Sequence, residues 1–201
     1  MTSALISIKR RCPLVWRAVE RVNGWLFSLR FPDFGRIMAD VLKNFHSDDF
    51  IFSPVAEEDI PALSDFLCGL PAERTEYFKP HDFDAETLTR MYRSGAFGMM
   101  KITEKAGGRF AGYFFLRCFF IGRAFHGLIA AECFAGRGLG TAMWALSSKI
   151  CSLCGLRMFA TVSEKNTASL VSARKATDVT VVEKLADGYL LVECKPLCDN
   201  D

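Results

Sequence analysis

Three glycines alternate with other residues in the stretch Phe134 to Ala142, FAGRGLGTA, between an apolar run and a segment of helical periodicity. A turn of this kind exposes several backbone N–H groups, and a helix behind it adds the positive end of its dipole. The combination makes a cradle for a phosphate or pyrophosphate. Gly136, Gly138 and Gly140 are also consistent with a flexible strand-to-helix connection, so the flanks carry the decision.

Upstream, His126 to Phe134 reads HGLIAAECF, which predicts one buried strand with Glu132 at its end, beside the turn. Downstream, Met143, Trp144, Leu146, Ile150 and Leu153 predict a helix from Thr141 to Leu153, with Gly155 as its stop. A dinucleotide fingerprint would need GxGxxG, and the position after Gly136 and Gly138 that should be glycine is Thr141. The following strand, LRMFATV, carries no acid for a ribose, and the chain has no GxxxxGK loop. Neither nucleotide motif is present.

The frame Ala135-Gly136-Arg137-Gly138-Leu139-Gly140 resembles the acyl-coenzyme A turn of the GNAT superfamily of acetyltransferases, in which Gln or Arg is followed by two variable residues, Gly, one variable residue, and Gly or Ala. Ala135 stands where that family has Arg or Gln, and Arg137 lies inside the loop. The order of elements from about Phe52 to Cys194 resembles the same family. A second match begins at Asn166, in EKNTASLVSARKATD, where the family opens a helix with Asn and places Tyr seven residues on. Here that position is Ala173; Lys175 agrees with the family, whereas Thr177 and Asp178 replace Gly and Phe.

The resemblance implies an α/β (α+β) fold with a mixed, mostly antiparallel central sheet flanked by helices. It implies acetyl-CoA as cosubstrate, with its diphosphate on the N–H groups of Gly136 through Thr141, including Leu139 and Gly140, and with Arg137 nearby. The pantetheine arm would run along Leu128 to Cys133, and an N–H between Ala131 and Cys133 would hold the thioester oxygen. Asn166 would complete the cofactor set. The chemistry implied is N-acetyl transfer to the primary amine of a small molecule, an amino sugar being one candidate, directly in a ternary complex. Glu132 is the first candidate for general base, with His126 as a second. Ala173 removes the family's usual acid, which leaves Tyr113 or Tyr189 to protonate the thiolate. Tyr77, Phe78 and His81, with Asp82, are candidates for the acceptor pocket. The alternative, prompted by Ala135 and Ala173, is a noncatalytic acyl-CoA-binding or interaction module.

A chain of 201 residues, half of them hydrophobic, buries one substantial core. The division expected is a helical N-terminal extension over 1–50 and the acetyltransferase-like domain over 51–201. The net charge of +2 does not call for nucleic acid. Its distribution is uneven: residues 1–30 carry +5 and the remainder −3. Leu5, Ile6 and Ile8 precede Lys9, Arg10 and Arg11 instead of following them, which argues against a signal peptide. Pro13 to Leu29 has helical apolar spacing with Trp16 and Trp25, and suits packing on the domain, a homodimer contact or a peripheral membrane surface. No apolar stretch reaches the length of a membrane span. Eight cysteines at this density read as reduced thiols in a cytoplasmic protein. Cys151 and Cys154 have no second pair, and the histidines stand far apart at 46, 81 and 126, so no metal site is expected.

The remaining elements follow from local pattern. A helix is expected over Phe34 to Phe45, a strand at IFSPV, a helix over Glu57 to Leu70, and an irregular segment from Leu70 to Phe83. Strands follow at Ala96 to Thr103 and Arg109 to Phe119, then at Leu156 to Val162, with a helix over Asn166 to Ala176 and a final hairpin turning at Ala186-Asp187-Gly188.

Overall fold

Alternation along the strands divides the apolar residues of this chain between the two faces of one sheet. The computed structural model describes residues 13–197, with side chains from Arg17 onward. The expectations for Leu5 to Arg11, and those for the side chains of Val15 and Trp16, lie outside the described residues. The seven strands are β1 (Phe50–Pro54), β2 (Phe97–Glu104), β3 (Phe110–Phe119), β4 (Arg123–Ala130), β5 (Arg157–Ser163), β6 (Thr177–Lys184) and β7 (Tyr189–Pro196). Their order is β1-β2-β3-β4-β5-β7-β6. All neighbours are antiparallel except β4 and β5, so the sheet is mixed and mostly antiparallel.

Seven α-helices surround it among the described residues: α1 (Pro13–Arg30), α2 (Phe34–Lys43), α3 (Ile60–Cys68), α4 (Ala72–Thr75), α5 (Ala85–Tyr92), α6 (Leu139–Leu153) and α7 (Thr167–Ala176). One face of the sheet buries Phe114, Leu116, Ala124, Met158 and Ala160 with Met143 and Ile150 of α6. The other buries Met99, Tyr113, Phe115 and Ile129 with Ile60, Leu63 and Leu67 of α3. In α2, Phe34, Met38, Val41 and Leu42 fall on one stripe and are buried. Phe27 of α1, fully enclosed, joins them in the core that the sheet shares. Burial of a side chain of this size contributes about 1.5–3 kcal/mol. The two leading helices are therefore built into the same core as the sheet.

Three differences from the sequence reading matter for the site. β4 ends at Ala130, and Glu132–Phe134 forms a 3-10 turn that buries Phe134. Glu132 is thus beyond the strand, where the sequence reading had it ending the strand. The helix α5 was not foreseen, because only Thr87 and Leu88 of its eight residues are buried; its start is fixed by Asp84, whose carboxylate accepts the Thr87 N–H at 2.8 Å. The segment after Leu70 contains the short helix α4 within its irregular course. Among the described residues no helix is long and apolar enough to cross a membrane.

Candidate active site

The glycine turn uses its three glycines for two reasons. Gly136 and Gly138 have φ of 76° and 78°, the left-handed region that side-chain-bearing residues rarely occupy. Gly140 has no such angle but sits in close packing, since a Cβ there would fall 3.0 Å from Ser172 Oγ on α7, tighter than ordinary contact. The first bond entering α6 runs from the Ala142 N–H to the Gly138 carbonyl at 3.0 Å. The N–H groups of Leu139, Gly140 and Thr141 precede it and have no intrahelical acceptor. Arg137 is folded back: its guanidinium pairs with Asp49 at 2.5 Å and lies 4.7 Å from the centroid of Phe50. The arginine of the turn is neutralised by a carboxylate from the start of the sheet.

Beside this turn the sheet opens. β4 and β5 pair only at Arg123 with Arg157, Ala124 with Met158, and Phe125 with Phe159. β4 continues to Ala130 and β5 to Ser163 without further pairing between them, which opens a wedge; at its wide end the Ala130 carbonyl is engaged, accepting from Arg74 Nη2 at 3.1 Å. The Ala131 N–H donates to the Ala111 carbonyl at 2.9 Å, so it is committed to β3 and is not a free oxyanion donor. Glu132 and Cys133 are exposed in the 3-10 turn at the glycine-turn end of the wedge. Asn166 caps α7, its side-chain oxygen accepting the Ser169 N–H at 3.1 Å.

At the narrow end of the wedge lies an open groove of about 2080 Å³. Phe125, Gly127, Thr161 and Tyr189 reach it from the sheet, Tyr77, Phe78 and His81 from the loop before α5, and Val22 and Trp25 from α1. Phe97 and Phe115 are stacked with centroids 5.0 Å apart and form its floor. The three acceptor candidates from sequence are thus brought together. The sequence reading did not foresee the contribution of Val22 and Trp25, which it treated as part of one helical apolar stripe.

The proton-transfer candidates, by contrast, are dispersed. Glu132 does not line the groove. The His126 ring packs on Trp144 of α6 at 4.5 Å, on the opposite face of the sheet from Phe115, and neither ring nitrogen has a hydrogen-bond partner. Burial pushes its pKa down to about 3, so it is a neutral core group. Tyr113 is fully enclosed beside Phe78 and Phe115, and burial raises its phenol well above the ordinary value. His81 differs from all three. Its Nδ1 lies 2.7 Å from the Asp82 carbonyl and must carry the proton, which leaves a lone pair on Nε2. That nitrogen is buried without a partner, and burial holds the ring below the usual histidine pKa. At Ala173, where a hydroxyl was wanted, the side chain is buried inside α7.

No protein-family model and no curated protein sequence matches this chain. Solved structures do. The GNAT domain of S. lividans PAT aligns over 71% of this chain and 88% of its own, with 18% identity and a TM-score of 0.60. RimL, a ribosomal L7/L12 α-N-protein acetyltransferase in complex with coenzyme A, aligns over 75% and 96%, with 17% identity and a TM-score of 0.60. The aminoglycoside acetyltransferase AAC(6')-Ib, in complex with coenzyme A and kanamycin, aligns over 73% and 94%, with 14% identity and a TM-score of 0.56. At these identities the likeness is one of fold.

Proposed function

From a chain with the GNAT acetyltransferase fold, we infer an enzyme that moves an acetyl group from acetyl-CoA to the primary amine of a small molecule. The observation that carries this is the parting of β4 from β5 after Phe125 and Phe159, with the outward N–H groups of Leu139, Gly140 and Thr141 beyond the other end of β4. Acetyl-CoA fits that shape: the turn offers fixed donors for its diphosphate, and the unpaired edges offer backbone partners for its amide-bearing arm. When bound, it supplies an acetyl thioester.

The residues of this chain then have separable tasks. The turn from Gly136 to Thr141 holds the anionic end. The edge of β4 between His126 and Ala130, whose last carbonyl is held by Arg74, presents backbone N–H groups to the thioester carbonyl oxygen. Phe97 and Phe115 floor the acceptor side and exclude water, and His81, whose ring lines the groove with Nε2 enclosed, takes, through a shift that opens Nε2 to the bound amine, the proton that the amine must lose. Transfer within a ternary complex follows from two approaches, the wedge for one substrate and the groove for the other. An amino sugar is one amine that the same assay covers.

A second reading has one observation in its favour. Ala173 provides no acid and Tyr113 is shut away from the groove, which leaves Tyr189 as the acid candidate that reaches it; a noncatalytic acyl-CoA-binding module would need none.

Calorimetry of acetyl-CoA with the wild type and with Gly138→Asp tests the cofactor site. Asp tolerates the left-handed region better than most residues, and no atom lies within 4 Å of a Cβ at this position, so the variant keeps its fold. Binding by the wild type and its loss in the folded variant support the reading. Absence of binding to the wild type overturns it, and binding without acetyl transfer to any amine leaves the module.

A further inference from the structure

α1 is fastened to the end of β3 by polar contacts at several points. Asn23 Nδ2 donates to the Cys118 carbonyl at 3.0 Å, and Asn23 Oδ1 accepts the Phe120 N–H at 3.1 Å. Arg117 pairs with Glu20 at 2.8 Å, and Arg30 donates to the Phe120 carbonyl at 2.9 Å. Gly95 lets the helix lie close against the entry to β2, since a Cβ there would fall 2.2 Å from Ser28 Oγ. This anchoring does not bury the apolar residues on the groove side: Val19, Val22 and Trp25 remain 51%, 56% and 64% exposed. All three line the groove, across from the aromatic floor.

The dimensions and charge of the groove narrow what it accepts. Its volume exceeds the ~300–1,000 Å³ of ordinary small-molecule pockets. Among the described lining residues, Arg17, Arg21, Lys79, Arg90, Arg93 and Arg117 outnumber Glu20, Glu76, Asp82 and Glu86. Glu20 is paired with Arg117 and Arg93 with Glu57, so the remaining lining cations and the acids Glu76, Asp82 and Glu86 nearly balance, and apolar surface is what distinguishes the groove. Exposed aliphatic and indole surface facing stacked phenyl rings favours an apolar occupant by the area it removes from water.

We propose that the acceptor is an amphipathic amine, a primary amino group joined to an extended apolar body, and that Val19, Val22 and Trp25 of α1 form the wall that selects it. This rests on the acetyltransferase reading and narrows its substrate class. The amine end lies toward His81 and the β4–β5 junction, and the apolar body runs out between α1 and Phe97.

The test uses the full chain with acetyl-CoA and unbranched primary amines from propylamine to octylamine, with spermidine and glucosamine as polar comparators. Acetylated product is measured by mass spectrometry, and binding of the same amines by calorimetry. kcat/KM rises about threefold to fourfold per added methylene until the groove is filled. Val22→Asp, and independently Val19→Asp, abolish that dependence; both positions are more than half exposed, so the fold tolerates the charge. Transfer that is indifferent to chain length, or that favours spermidine or glucosamine, overturns the proposal while leaving the acetyltransferase reading intact. If no amine is acetylated, tighter binding of octylamine than propylamine, lost in Val22→Asp, supports the groove and sinks the transfer reaction. Equal or absent binding of the two amines overturns the groove.

Discussion

Phe115 and Gly127 are directly paired across β3 and β4, and the phenyl ring lies over the glycine so closely that a Cβ there would fall 2.5 Å from two ring carbons. Gly127 has no unusual backbone angle to explain it. The glycine is there for the ring, and the ring is the floor of the groove.

Gly127→Ala therefore forces Phe115 off its stack with Phe97. The expected cost is about 1–3 kcal/mol of stability, the usual range for overpacking, measured by urea denaturation. The floor is disturbed at the same time, so KM for the amine rises while acetyl-CoA affinity stays close to wild type. A stable variant with unchanged amine KM would show that Phe115 does not shape the acceptor side.

At Gly138 charge and conformation can be separated. Asn and Asp are nearly isosteric and both enter the left-handed region with modest strain. Gly138→Asn retains acetyl-CoA binding in large part, whereas Gly138→Asp loses it by tenfold or more, about 1.4 kcal/mol. Equal losses in calorimetry would mean that the turn is read by shape alone and that no phosphate sits at its donors.

Proton transfer distinguishes His81 from Glu132. His81→Gln lowers kcat by about a hundredfold or more, the scale of a lost general base. Glu132→Gln, exposed beyond the end of β4, leaves kcat near wild type. The reverse pattern in steady-state rates would return the role to the glutamate and require the reaction centre to lie nearer the glycine turn.

His126 makes stability depend on pH. Its folded pKa of about 3 is below the ordinary value of 6.5, so between these values the unfolded chain binds a proton that the folded chain does not. Stability from this group is full above pH 6.5 and falls as the pH is lowered toward 3, by about 1.4 kcal/mol per pH unit. His81, whose pKa is also lowered, acts in the same direction. Urea midpoints at pH 7, 6 and 5 measure the slope, and His126→Leu reduces it by the contribution of one proton.

Much of the architecture was legible because it is written in local periodicity. Apolar runs on either side of a glycine turn marked β2 and β3, helical spacing marked α1, α2, α3 and α6, and Asn166 announced the start of α7 that it caps. The helix α5 was missed because it is only eight residues long with its apolar side chains Leu88, Met91 and Tyr92 crowded toward its C-terminal end, and its start is marked by Asp84 and Thr87 instead. Glu132 was placed at a strand end because an apolar run gives no sign of where pairing stops. Here it stops at Ala130, with the following Ala131 N–H still bonded to Ala111.

By itself the sequence determined that a glycine turn joins a strand to a helix, and that apolar residues are divided between two sheet faces and the stripes of amphipathic helices. Those are properties of neighbours within a few residues. The tertiary structure alone decided that β4 leaves β5 after three paired positions, that Arg137 is taken up by Asp49, and that His81 rather than Glu132 faces the groove. It also decided that Val22 and Trp25 are left exposed along that groove while Phe27 of the same helix is enclosed. Such outcomes depend on which surfaces meet across long sequence separations, and a helical stripe records only that a face is apolar.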